Sequence, residues 1–369
     1  MTGGLFYYNI GYYHRTLKRR LPMNILNDKR EKFERIIKKA ARIAILGSHQ
    51  DPDWYAIAMI MLKIVNFYGK FADVFSSGVP GRRQNTAIIN TFQLNFLPIT
   101  QFVARRKDYD CVILVDSHSL EDERFGIKID GRPDVIVDHH EHPADIVEDE
   151  NSVYIFQQSG ACASLGASML FECGIQLARN DANDQDLATL CLVGVLADTY
   201  NLTSLYVTDL DREMFAAMGK YADQKKINEV FLSSYEKEYF DFLHLATNPA
   251  SRKQSGTTLI TCLGYILPSV ENYEHYMVDI ADMFIKTEAV QLVLVWAIVG
   301  NKLIIKIRNT NLRKKLQDEI IDRHFPKEGG SKHNSSGGIT HDLRQGGETP
   351  DKDSLVKAWN ENLEKRYLR

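Results

Sequence analysis

The chain has 369 residues, of which 44% are hydrophobic and 25% charged, and a formal net charge of −3. That is ordinary globular composition, at a length that suggests two domains, each able to bury its own core. The near-neutral charge argues against long duplex nucleic acid as the main partner, because proteins that coat a phosphate backbone carry a basic excess; it leaves room for a local basic pocket.

Residues 5–22 (LFYYNIGYYHRTLKRRLP) mix aromatic and basic side chains and lack the pattern of a signal peptide. We read residues 1–25 as a loosely attached N-terminal tail, with an interfacial or docking arm as the other reading. Met23 opens a more ordinary sequence. Asn27 or Asp28 can cap a helix that carries Phe33, Ile36, Ile37 and Ala40 on one face. A short apolar strand at 43–47 is followed by the polar turn Ser-His-Gln-Asp-Pro-Asp and an apolar helix at 54–68. This is the strand-turn-helix pattern of a parallel α/β sheet, with the turn at the carboxyl end, where such sheets place ligands.

The pattern repeats, with strands at 72–77, 111–116, 134–138 and 153–156 and helices at 85–95, 161–174 and 186–199. Residues 211–250 turn helical and charged and read as a connection. After Ser251, strands at 257–266, 290–300 and 302–309 accompany helices at 273–286 and 312–324. Residues 329–347 are rich in glycine and polar groups, and a last helix spans 352–366. The expected fold is α/β: a parallel-sheet catalytic domain at 26–220, a helical linker at 221–255 and a smaller α/β substrate-binding domain at 256–369. Cys111, Cys162, Cys173, Cys191 and Cys262 form no CxxC pair and lie mostly in apolar runs, as buried reduced thiols of a cytoplasmic protein would. No apolar run approaches the ~18 residues of a membrane span.

Four segments end a strand or helix with acids and histidines: His49 to Asp53, Asp116-Ser117-His118, Asp138-His139-His140, and Asp198-Thr199. Carboxylates and imidazoles that converge at strand ends repel one another, or stay desolvated at a cost, unless a cation joins them. A mixed Asp/His set suits manganese, iron or zinc better than an all-oxygen magnesium or calcium site. Each segment alone reads as easily as a cap, a turn or a surface pair. Their joint order, each after an apolar element, points to a metal centre.

That order resembles the four motifs of the DHH phosphoesterases, a family with RecJ-type exonucleases, family II pyrophosphatases, cyclic-dinucleotide phosphodiesterases and oligoribonucleotide or pAp phosphatases. The motifs stand here as His49-Gln50-Asp51-Pro52-Asp53-Trp54-Tyr55-Ala56, Asp116 of LVDSH, Asp138-His139-His140 of VDHHEH, and Asp198 of GVLADT. Gln84-Asn85 in GRRQNTAIIN resembles a further family segment. The resemblance implies two Mn2+ ions. The first would take His49, Asp53, Asp116 and Asp198. The second would take Asp116, His140, Asp198 and a second motif-one aspartate. It also implies that His139 lies beside the phosphate and that Asp138 fixes a histidine tautomer. Tyr55 stands where the second aspartate is expected. A water or a Tyr55 phenolate would fill the gap, or the second ion would bind weakly, or activity would be lost.

Gly329-Gly330-Ser331-Lys332-His333-Asn334-Ser335-Ser336-Gly337-Gly338 resembles the glycine-rich signature of the DHH-associated substrate domain, with either Lys332 or His333 as its substrate contact. Arg308 matches that domain's phosphate-gripping arginine; Arg82 and Arg83 are weaker candidates. The implied function is hydrolysis of small nucleotide phosphodiesters or phosphomonoesters: short oligoribonucleotides, pAp or dinucleotides. A homodimer is compatible with it. The other readings are a degenerate nucleotide-binding regulatory protein and, behind it, an exopolyphosphatase.

Overall fold

The computed structural model describes residues 24–48, 50–78, 80–140, 147–332, 334–343 and 351–368. His49, His333, residues 1–23 and the side chain of Lys332 lie outside what is described. The chain divides into two compact units at Ser233/Ser234.

The first unit opens with α1 (Arg30–Lys39), β1 (Ile43–Gly47), α2 (Pro52–Phe67) and β2 (Ala72–Ser76). It continues with α3 (Arg83–Phe92), β3 (Leu97–Pro98), α4 (Ile99–Ala104), β4 (Cys111–Val115), β5 (Val135–Asp138) and β6 (Val153–Phe156). Helices α5 (Cys162–Glu172), α6 (Ala182–Asp198), α7 (Asp209–Met218) and α8 (Gln224–Phe231) complete it. The six strands are parallel, in the order β3-β2-β1-β4-β5-β6. Strand order reverses between β1 and β4, and a sheet of this kind opens a ligand crevice at that reversal.

β1 and β4 are buried along their whole length, as a parallel sheet covered on both faces requires. α2 is apolar almost all round, burying Ile57, Ile60, Met61 and Ile64; it packs against α5 and α6, and sets Trp54 on Gly47 of β1 and against Phe96. Each such side chain contributes about 1.5–3 kcal/mol of burial. The opposite face of the sheet packs Phe75, Phe102, Tyr109 and Leu114.

The second unit holds α9 (Lys237–Thr247), β7 (Arg252–Ser255), β8 (Thr258–Ile266), α10 (Tyr273–Phe284), β9 (Leu292–Val299) and β10 (Lys302–Asn309). A π-helical turn (Leu316–Ile321), β11 (Gly329–Lys332), β12 (Ser336–Asp342) and α11 (Lys352–Tyr367) follow. Its sheet runs β11-β12-β10-β9-β8-β7 and is mixed, with only β8 and β9 parallel.

One expectation changes. The stretch expected as a linker, 221–255, is shared out between the units. Ile227 and Val230 of α8 join the first core, while Tyr239 and Ala246 of α9 join the second. Its charges lie on the outer faces of amphipathic helices, which made it read as solvent-exposed. In the glycine-rich segment, Gly329–Lys332 and Ser336–Asp342 pair as a hairpin, with Gly330 opposite Gly338. A Cβ on Gly329 would lie 2.4 Å from the Gly338 carbonyl oxygen, so close backbone packing demands glycine there.

Candidate metal centre

Asp51 caps α2 by accepting the Trp54 N–H at 2.9 Å, and Pro52 follows at the first helical position. This places Asp53 in the first turn, fully buried. Its two oxygens accept the N–H groups of Cys162 (2.7 Å) and Ala163 (2.8 Å), the first residues of α5. A helix N-terminus favours a carboxylate held this way. α6 comes unusually close to the same turn. A Cβ on Gly194 would lie 2.9 Å from Ala56 Cβ and 3.0 Å from the Pro52 carbonyl oxygen. Asp198 follows four residues later on the same helix face, and so ends beside Asp53.

Asp116 follows β4 with φ of 54°, a left-handed backbone that costs a non-glycine residue roughly 1–2 kcal/mol. Strain of this sort gathers at functional sites. Its N–H donates to the Val137 carbonyl at 3.0 Å, which ties it to the end of β5. β5 ends at Asp138, whose Oδ1 accepts the His139 N–H at 2.8 Å and lies 2.7 Å from His140 Nδ1. His118 Nδ1 lies 3.4 Å from the other Asp138 oxygen.

His139 is buried, with Nδ1 2.9 Å from the Ser159 carbonyl oxygen. That acceptor makes Nδ1 the protonated nitrogen and turns Nε2 inward. Nε2 lies 3.3 Å from Asp116, 3.8 Å from Asp198 and 3.9 Å from Asp53. Burial alone would lower the pKa of this ring. The hydrogen bond and charge of Asp116, with Asp53 and Asp198, push it up instead, to about 10. Asp53 is raised well above the carboxylate range by burial and by the charges of Asp198 and Asp116. Burial opposes ionisation of Asp138 too, but hydrogen bonds from His118 and His140 hold its pKa well below the usual range.

The donor set fits a divalent cation. Ligands ~2.1 Å from one ion lie at most ~4.2 Å apart, and the three carboxylates meet Nε2 inside that limit. Two groups, Asp53/His139/Asp198 and Asp116/His139/His140, each keep their ligand atoms within 4.8 Å of one another. His139 belongs to both, but one Nε2 serves one ion.

This arrangement brings both paired histidines to the carboxylates. His139, expected at the phosphate, sits among the carboxylates, because Ser159 fixes its ring from behind. His140, expected as the ligand, has Nδ1 on Asp138 and only 3.8 Å from Asp116. Asp138 does hold a histidine by its ring nitrogen. Tyr55 is not turned to the acids. It is fully buried, its hydroxyl donates to Gln50 Oε1 at 3.2 Å, and its ring stacks on Phe96. Burial pushes its pKa up, which disfavours the phenolate.

In the second unit the Arg308 guanidinium is mostly buried and paired through Nε and Nη2 with Asp282 of α10. A phosphate there would have to compete with that carboxylate. Gly330 leaves its Cβ position open and a Cβ on Gly338 would make ordinary contact with Ile305 and Lys306, whereas Gly329 and Gly337 are packed tightly against neighbours. Arg83 hydrogen-bonds the backbone and side chain of Ser233 within the first unit. Asn85 donates to the Gln50 carbonyl at 2.6 Å, and Gln50 donates to Ser76, Ser77 and Gly78, so the pair fastens the first motif to the end of β2. Ser159, Cys162 and Gly194 were missed. They act through backbone groups or the absence of a side chain, which leave no polar signal.

Residues 25–195 match the model of the DHH family, N-terminal domain. An uncharacterized protein of Methanocaldococcus jannaschii is 27% identical over 333 residues, 90% of this chain and 64% of that protein. The manganese-dependent inorganic pyrophosphatase of the same organism is 31% identical over 120 residues, 32% of this chain and 38% of that protein. The chain thus spans less than two thirds of the length of either relative. The crystal structure of an exopolyphosphatase-related protein from Bacteroides fragilis has a TM-score of 0.63 at 13% identity, covering 91% of this chain and 95% of that one. That likeness is one of fold.

Proposed function

We propose, from the premise that residues 25–195 are a DHH family domain, that this chain is a metal-dependent phosphoesterase acting on small nucleotide phosphodiesters or phosphomonoesters. The observation that carries the reading is the convergence of Asp53, Asp116 and Asp198 on the inward nitrogen of His139. Three acids around one imidazole have no structural use as strong as holding a cation.

Manganese is the ion we favour, from the mixed donor set and from the manganese-dependent pyrophosphatase relative. When bound, such an ion supplies an activated water near neutral pH and offsets charge at phosphorus. The chain's own part is to hold its ligands rigid. Ser159 fixes the His139 tautomer, the start of α5 holds Asp53, and Asp138 orients His140. We assign one ion to Asp53, Asp116, Asp198 and His139. His49, expected at the first ion, lies outside the described residues; a second ion would draw on Asp116 and His140 and bind more weakly, because Tyr55 contributes no carboxylate. Arg308 and the Gly330/Gly338 face of the hairpin are the substrate-binding candidates of the second unit.

The test is turnover. Purified full chain with Mn2+ should release mononucleotide from pApA or phosphate from pAp, and Asp116→Ala should abolish release. Tight nucleotide binding with no turnover at any Mn2+ concentration would favour the regulatory reading, which the neutral Tyr55 keeps in play.

A further inference from the structure

The loop after β4 holds a charged pair that the assignments so far leave unused. Asp122 lies six residues past Asp116, its side chain only 16% exposed. Its Oδ2 accepts Ser48 Oγ at 3.0 Å and Ser117 Oγ at 3.3 Å. Ser48 directly follows β1 and precedes His49; Ser117 directly follows Asp116. The same carboxylate takes the Arg124 backbone N–H at 2.9 Å, its Nε at 2.9 and 3.0 Å, and its Nη2 at 2.6 Å.

An exposed ion pair two residues apart would ordinarily mean little. Here the acid also bonds the residues after two neighbouring strands, so the arginine is fastened over the ends of β1 and β4. Those strands flank the reversal in strand order, the crevice in which such sheets bind ligands. Burial opposes the Arg124 charge, Asp122 restores it, and the charges of Asp116 and Asp51 add to that, which places the guanidinium in the field of the metal acids. The side chain stays 44% exposed, and Nη1 has no hydrogen-bond partner among the described residues. An arginine preset by one carboxylate, with a further N–H pair open to solvent, is suited to a phosphate oxygen.

We propose that Arg124, held by Asp122, binds a second phosphate group of the substrate, next to the one at the acid cluster. The inference rests on the phosphoesterase reading and narrows it to nucleotides carrying two phosphates. The scissile group belongs to the ion held by Asp53, Asp116, Asp198 and His139. Arg124 is anchored to the serines beside those ligands, so it meets the neighbouring phosphate. Asp122 is a positioning residue and contacts no substrate.

The experiment compares the full chain with Arg124→Gln, Arg124→Lys and Asp122→Asn in Mn2+, on pApA and on unphosphorylated ApA. The wild type should prefer pApA. Arg124→Gln and Asp122→Asn should raise KM for pApA about tenfold, the scale of one bidentate charge-assisted contact, and leave kcat and the ApA constants within about twofold. Arg124→Lys, which keeps the charge but not the fork, should recover only part of the preference. Equal losses on both substrates, or none on either, would overturn the assignment and leave the phosphoesterase reading intact. Should the wild type hydrolyse neither of these nor pAp, that reading fails, and calorimetric binding of pAp against AMP decides the arginine's part. A pAp preference lost in Arg124→Gln upholds the second-phosphate site, and equal affinities sink it.

Discussion

At the carboxyl ends of β1, β4 and β5 three carboxylates crowd round one buried imidazole; on β10 of the second unit the half-buried Lys306 and the buried Arg308 each meet a single acid of α10, Glu274 and Asp282. Both arrangements are charged and partly desolvated. They differ in balance. The second is closed, since each guanidinium or ammonium has its counter-charge. The first carries an excess of negative charge that one protonated histidine only partly offsets, and the raised pKa values of Asp53 and His139 express that excess. Uncompensated like charge, fixed by helix termini and backbone carbonyls, distinguishes an ion site from a structural ion pair.

Replacing Asp116 by alanine should cut turnover by on the order of 10³-fold and remove Mn2+ binding by calorimetry. Adding Mn2+ at a hundred times its Kd should stabilise the first unit by about 2.7 kcal/mol, and chelation should reverse this in urea unfolding.

In the second unit, Asp282→Ala should destabilise by about 2 kcal/mol, below the ~3–5 kcal/mol of a fully buried pair because Asp282 is 32% exposed. A change near zero would show that Arg308 is held without its acid and stands free for an anion.

Acid–base behaviour sharpens the contrast. The His139 pKa is raised from 6.5 to about 10. Its contribution to the metal-free fold is therefore complete below about pH 6.5 and is lost as pH rises through about 10. The raised Asp53 acts in the same direction. Chelated wild type should lose thermal stability between pH 7 and pH 10, and His139→Asn should flatten that slope. The smallest expected effect is that of Tyr55→Phe: about 1 kcal/mol for the lost hydrogen bond to Gln50, with metal content unchanged by elemental analysis. Loss of an ion in that variant would restore the tyrosine as a ligand.

Much of the first unit was legible because its signals are local. Apolar runs at 43–47 and 111–115 end in polar turns, and a parallel sheet puts those turns at one edge, so Asp116 and Asp138 could be placed beside each other from the order of elements. The hairpin of the second unit was less legible. The glycine-rich segment could be matched to a substrate-domain signature, but glycine and serine carry no strand periodicity, and the packing of Gly329 against Gly338 and Ile339 leaves no mark in the sequence. The linker was misplaced because α8 and α9 are amphipathic helices whose buried faces belong to different units.

What the sequence determined by itself was the approximate meeting place of the acid- and histidine-bearing segments, since strand periodicity and chain order decide which loops share an edge. What only the tertiary structure decided was which of two adjacent histidines lies among the three carboxylates. His139 and His140 are chemically identical and neighbours in sequence, so no pattern separates them. The Ser159 carbonyl, twenty residues away, binds one ring, and Asp138 binds the other. The same holds for Tyr55: its replacement of an aspartate was visible in the motif, but its withdrawal into a hydrogen bond with Gln50 follows from how α2 packs.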